Sequence, residues 1–246
     1  MAKSSGLSQQ FFIGGYDLSG DVGAINSAGS PRGALEVTAI NKAGKERVYG
    51  LTDGQLEFAT WFDDAALLEH IALKGLPTTD RNVLWAFGGS IGSVAAMLIA
   101  KQINYDWAAG QDRSLAGKIS CQANGTPLEW GNLLTPGKVT HAGATNGASR
   151  DDSASSAYGI IGYIQCMAFT GTSVTVIIQE SSDNGGVDAW ATKLSFTAIT
   201  ALSAERKTAT GTVERYVRVS SSGTFTSAAI VVAYLRGTAQ DEVSLA

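Results

Sequence analysis

Two histidines and two cysteines in 246 residues leave this chain short of the groups that most often carry chemistry or cross-linking. Nucleophilic catalysis needs a base beside a Ser or Cys, and a zinc site needs three or four converging donors. His70 falls beside the apolar face of a helix-like segment and His141 stands alone in a Gly- and Ser-rich stretch, so neither is placed for such a task. No G-x-S-x-G elbow occurs. The Gly-rich window Phe87-Gly88-Gly89-Ser90-Ile91-Gly92 lacks the Lys-Ser/Thr pair that closes a phosphate loop, having Ser93-Val94 in that place, and reads as a turn. Cys121 and Cys166 each lie in a strand-like run and are expected as buried free thiols rather than as a bridge.

Charge is also scarce, at 16% of residues, and evenly spread: 13 acids and 11 bases in residues 1–145, 9 and 7 in residues 146–246. Neither half carries the basic stripe of a nucleic-acid grip. The first residues, MAKSSGLSQQFF, hold one lysine and no apolar run, so no secretory signal is expected there. The most apolar window, residues 83–100, is interrupted by Gly88, Gly89 and Gly92, which predicts two short buried elements around a bend rather than a spanning helix.

What the chain does have is 29 glycines together with many Ser, Thr and Ala residues, a mixture that suits short strands and tight turns. Its organising stretch is residues 33–64. Leu35, Val37 and Ala39 alternate with Glu36 and Thr38, and Leu56, Phe58, Thr60 and Phe62 alternate with Gln55, Glu57 and Trp61, the period of half-buried strands. Asn41-Lys42-Ala43-Gly44 and Thr52-Asp53-Gly54 supply turns. A helix of about three turns is expected next: Asp63-Asp64 would cap it, Leu67, Leu68 and Ile71 would form its apolar face, and Lys74-Gly75 with Pro77 would end it.

Further strands are expected at 82–87, 95–107, 115–123 and 128–134, the last two joined by Asn124-Gly125. Residues 136–156 are almost devoid of bulky apolar side chains and read as a linker. Beyond it, 160–169, 173–179, 193–197, 213–219 and 224–235 have the spacing of a β-sandwich, the last apolar in both registers and therefore central. The tail QDEVSLA is expected to fray. The carboxylate pairs Asp63-Asp64 and Asp151-Asp152 fit capping and solvation better than a glycosidase pair. Asp183, Asn184 and Asp188 offer oxygen donors that could surround calcium, although an ordinary turn explains them too.

The ordered series GALEVTAINKAGKERVYGLTDGQLEFATWFDD, continuing through LPTTDRNVLWAFGG and AKQINYDW to QANGTPLEWGNLL, resembles tail tube (major tail) proteins of long-tailed bacteriophages over about residues 15–135. The motif Gly50-Leu51-Thr52-Asp53-Gly54 is its most specific piece. The resemblance implies a mainly β chain: a tail-tube-type β-sandwich or barrel at 33–135 with one flanking α-helix, preceded by an N-terminal arm at 1–32. After the linker at 136–156 a second β-sandwich, residues 157–246, would sit on the tube exterior. It implies no enzyme and no cofactor or metal. The subunit would self-assemble into rings, by family expectation hexameric though a pseudo-sixfold trimer stays open, and the rings would stack into a conduit for DNA ejection.

Partners implied in the same way are the tape measure protein and transiting DNA, bound without sequence specificity, and the tail terminator and tip proteins. No membrane is implied. The protein would be assembled in the host bacterial cytoplasm and reside in the virion tail. Phe11, Phe12 and Tyr16 would anchor the arm, Leu51, Asp53 and Gly54 would shape the turn between lumen strands, and Glu57 and Trp61 would face a neighbour. The loop at 75–81 is a second candidate for reaching the adjacent ring. A carbohydrate-binding adhesin or capsid decoration protein is the alternative.

Overall fold

A computed structural model describes residues 6–237; the tail QDEVSLA lies outside them. The chain is mainly β. From the N-terminus, β1 (Gln10–Ile13), β2 (Tyr16–Asp17) and β3 (Val22–Gly29) precede the hairpin β4 (Arg32–Glu36) and β5 (Arg47–Thr52), then β6 (Gln55–Trp61) and α1 (Glu69–Leu73). Next come β7 (Arg81–Ala86), β8 (Val94–Gln102), β9 (Asp106–Ala109), β10 (Leu115–Ala123) and β11 (Glu129–Leu133). The short β12 (Val139–His141), β13 (Thr145–Asn146) and β14 (Arg150–Asp151) lead to β15 (Ile160–Ser181), β16 (Ala191–Ser195), β17 (Ser203–Ala209) and β18 (Tyr216–Arg236). All pairings are antiparallel, and the main path runs β16-β15-β18-β11-β8-β10-β6-β3.

Alternation along 55–61 is realised in β6, where Leu56, Phe58 and Thr60 are buried and Gln55 and Trp61 exposed. Leu56 and Phe58 enter one core with Phe11, Ile13, Leu73, Leu98 and Ile119. A second core gathers Ile164, Val176, Ile178, Phe196, Val219 and Val232. Between them Phe12, Leu84, Met97 and Leu133 pack with Ile161, Tyr163, Val231 and Ala233, so residues from both ends of the chain share apolar contacts. Cys121 and Cys166 are buried and unbridged; burial pushes their thiols up to about 12 and about 11.

Several expectations are corrected. The helix at 64–74 is only Glu69–Leu73, because the Asp63 carboxylate accepts from the Ala65 amide at 2.9 Å and caps a turn instead, while α1 starts with no side-chain cap. Residues 10–29 are not a free arm: β1 pairs with β7 and β3 with β6, which buries Phe11, Phe12, Ile13 and Leu18. Nor is 136–156 a free linker, since β12, β13 and β14 all pair with β18. Finally, 160–169 and 173–179 are one 22-residue strand and 216–236 one 21-residue strand. The expected breaks are instead irregularities in a continuous ribbon, with Gly171 at φ 148° and Gly223 at φ 132°, backbone that side-chain-bearing residues rarely adopt. The last strand is central as expected, pairing with β15 on one side and β11 and β12 on the other.

Candidate functional site

Among the described residues no group of three or more His, Cys, Asp or Glu could hold a metal ion. His141 Nδ1 lies 2.8 Å from the Ser221 hydroxyl, the nearest approach to a nucleophile and base. Both residues are buried. Burial lowers the His141 pKa, and the Ser221 hydroxyl is also within reach of the Thr145 carbonyl at 3.4 Å. The pair joins β12 to β18. His70 shares its Nδ1 with the Tyr105 hydroxyl at 2.7 Å.

The carboxylates are likewise engaged. Asp151 receives two bonds from Arg215, at 2.6 and 2.7 Å, which hold it well below the usual carboxylate range. Asp152 faces Arg150 at 2.9 Å, Arg236 at 3.0 Å and the Tyr234 hydroxyl. In the loop after β15, Asp183 accepts from the amides of Gly186, Val187 and Asp188, so the oxygens proposed for calcium serve the turn itself. Those amide bonds hold the Asp183 carboxyl below its ordinary value, Val187 contributing most.

The eight residues singled out from sequence fall into three places. Phe11 and Phe12 are buried in the chain's own core, Phe11 with its ring 4.6 Å from Phe58, and Tyr16 lies under the Arg81 guanidinium, 6.0 Å from the ring centre. Asp53 and Gly54 form the root of the β4–β5 hairpin: the Asp53 amide donates to the Pro31 carbonyl at 3.0 Å, and its carboxylate accepts from Gln122 at 2.7 Å. Leu51 and Trp61 are exposed and Glu57 is half-buried. The loop at 75–81 is tied back to its own chain, with the Lys101 ammonium bonding the Thr78 carbonyl at 2.6 Å and Asp80 at 2.8 Å.

Gly54 has a packing role. A Cβ there would stand 2.6 Å from the Leu128 amide nitrogen and 3.1 Å from Ala123 and Leu98 side-chain carbons. Gly54→Ala is therefore expected to destabilise by about 1–3 kcal/mol through overpacking, read as a lowered urea midpoint with unchanged m-value.

The hairpin that Gly54 anchors is the outstanding feature of the surface. β4 and β5 form a separate two-stranded sheet, outside the large one. Every residue of β4 is exposed. Leu35, Val37, Ile40, Val48, Tyr49 and Leu51 all face solvent, Tyr49 at 80% and Leu51 at 93% of full exposure. Two-stranded sheets are marginal alone in water and present two open edges. Alternation at 35–39 overlaps only the end of β4 and did not mark β5; nor could it show that neither face has a partner among the described residues, because that depends on where the remaining sheet ends.

No family model matches the chain, and no curated protein matches it. Solved structures similar to it include the SPP1 Dit (gp 19.1) protein, described as a paradigm of the hub adsorption apparatus in phages infecting Gram-positive hosts, at 11% identity over 93% of this chain and 99% of that one, with a TM-score of 0.35. The phage p2 baseplate in its activated conformation with Sr is similar at 7% identity over 93% and 98%, TM-score 0.36. The same baseplate with Ca gives 10% identity over 94% and 99%, TM-score 0.35.

Proposed function

We propose that this chain is a non-enzymatic structural subunit of a phage tail, assembling with copies of itself into rings of the tail tube. The observation that carries the proposal is the β4–β5 hairpin, whose apolar residues find no cover among the described residues. Exposed apolar area of this kind marks an interaction site. The sequence resemblance covers the same hairpin and the strand it feeds. The engagement of Asp151, Asp152 and Asp183 in ion pairs or turns supports a role built on contacts. In this proposal the strands from β15 onward form an outward module, and the tape measure protein and transiting DNA occupy the lumen.

Purified protein should form rings or tubes visible by negative-stain microscopy, with a matching mass by light scattering. The variant Tyr49→Ser/Leu51→Ser should stay monomeric while unfolding within about 0.5 kcal/mol of the parent, as surface changes do. A parent that stays monomeric at every concentration and ionic strength would count against the proposal.

A further inference from the structure

The ring proposal leaves open what receives the hairpin, and the strand register narrows it. β3 and β6 pair from Val22↔Thr60 to Gly29↔Gln55, and the hairpin continues the ribbon past Gln55, from Arg32↔Thr52 to Glu36↔Arg47. The hairpin tip therefore lies beyond one end of β6. At the other end, about 20 Å away at ~3.3 Å per residue, the strand delivers Phe62 to a second exposed apolar surface, with Trp61 exposed on the opposite face.

This second surface is a shelf around α1. The Phe62 ring lies 5.2 Å from Trp107 and 5.1 Å from His70, its amide donates to the Leu115 carbonyl at 3.4 Å, and Leu67, Ile71 and Leu115 are exposed. Leu67 has φ 69°, in the left-handed region, where a leucine costs roughly 1–2 kcal/mol. Backbone strain that holds an apolar side chain in solvent points to function.

Charge distinguishes the two surfaces. The hairpin, residues 32–52, carries Arg32, Lys42, Lys45 and Arg47 against Glu36 and Glu46. Lys42–Glu46 at 3.0 Å and Lys45–Glu36 at 2.8 Å pair internally, so its surplus is the two arginines. The shelf carries Asp63, Asp64 and Asp112 against Lys74 and Arg113, with Glu69 buried beneath it; Asp106 stands directly across from Lys118 in the β9–β10 pair.

Building on the ring proposal, we infer that the hairpin of one copy seats on the acidic aromatic shelf around α1 of the next. Both surfaces are uncovered in one chain, so a copy does not fill its own shelf. A contact between two different surfaces is head-to-tail, the kind that generates closed rings.

Two variants test this: a hairpin variant, Tyr49→Ser/Leu51→Ser, and a shelf variant, Phe62→Glu/Leu67→Gly. Each alone should be monomeric, and a 1:1 mixture should give heterodimers and nothing larger, because one intact hairpin and one intact shelf remain. Leu67→Gly alone should raise the unfolding midpoint while weakening assembly at least tenfold, a combination that misfolding does not produce. Arg47→Asp and Asp64→Arg should each weaken assembly and restore it when combined in one chain. If the shelf variant still forms rings, or the mixture stays monomeric, the shelf is not the receptor although the ring proposal stands. If the parent itself is monomeric, both fall.

Discussion

Glu129→Ala is expected to destabilise the protein by about 3–5 kcal/mol, because it leaves Arg206 charged and buried without its counter-ion. Glu129 on β11 accepts two bonds from Arg206 on β17, at 2.7 and 3.1 Å, and one from the Tyr163 hydroxyl on β15 at 2.5 Å. Both ends of the ion pair are nearly inaccessible, with side chains 6% and 12% exposed. Burial alone would lower the Arg206 pKa, but the Glu129 contacts outweigh it and the net shift is upward. Burial first, then the adjacent carboxylate, hold the Tyr163 phenol well above its usual value.

The loss should appear as a fall of roughly 10 °C in the thermal midpoint, at about 2–4 °C per kcal/mol for a chain of this size. The triple variant Glu129→Leu/Arg206→Met/Tyr163→Phe should recover most of that loss, since apolar replacement of a whole buried ion pair is often neutral or stabilising. A Glu129→Ala midpoint within 2 °C of the parent, on the order of 1 kcal/mol or less, would show that the triad contributes little to holding β11 against β17.

The second large effect is a loss of stability on going from acid to neutral pH. Glu69 is fully buried, its Oε1 has no hydrogen-bond partner, and its Oε2 lies 3.5 Å from the Tyr105 hydroxyl. Asp21, also buried, accepts from the Glu69 amide at 3.2 Å. Burial pushes the Glu69 carboxyl from 4.5 up to about 7, the Tyr105 bond opposes the shift, and the Asp21 and Asp63 charges add to it. Burial raises Asp21 as well.

A carboxyl whose folded pKa exceeds its unfolded pKa binds more protons when folded. Its stabilising contribution is full below about 4.5 and lost as pH rises through about 7. At about 1.4 kcal/mol per pKa unit the loss is of order 2–3 kcal/mol. Urea midpoints measured from pH 4.5 to 8 should fall accordingly, and Glu69→Gln should flatten most of that slope, leaving the part due to Asp21. A parent profile with no slope over this range would mean that Glu69 is ionised in the folded state at no cost. Because α1 carries the shelf, ring assembly should weaken over the same pH window.

Sequence by itself determined what depends on near neighbours. Alternation located β6, since period 2 is a property of the strand alone, whereas the alternating run read at 95–107 is divided between β8, which ends at Gln102, and β9. Small apolar runs predicted that both cysteines would be buried, and double-sided apolarity in 224–235 marked β18 as central. The low count of histidines and the even charge directed attention to surfaces.

Tertiary structure decided the rest, because partners distant in sequence set the outcome. Phe11 and Phe12 are core residues only because β7 lies ready to pair with β1. The short β12, β13 and β14 are held by β18, 65 or more positions away, so their polar composition alone could not mark them as strands. Glu69, within the segment expected as a helix, is fully buried, with its Oε2 3.5 Å from the Tyr105 hydroxyl. The hairpin is the converse case. Its pattern of apolar residues promises a buried face, yet none of the described residues buries it, because the ribbon of β3 and β6 runs past the end of the body that covers it. Alternation measures a strand's readiness to be covered; what covers it is settled by where the other elements stop.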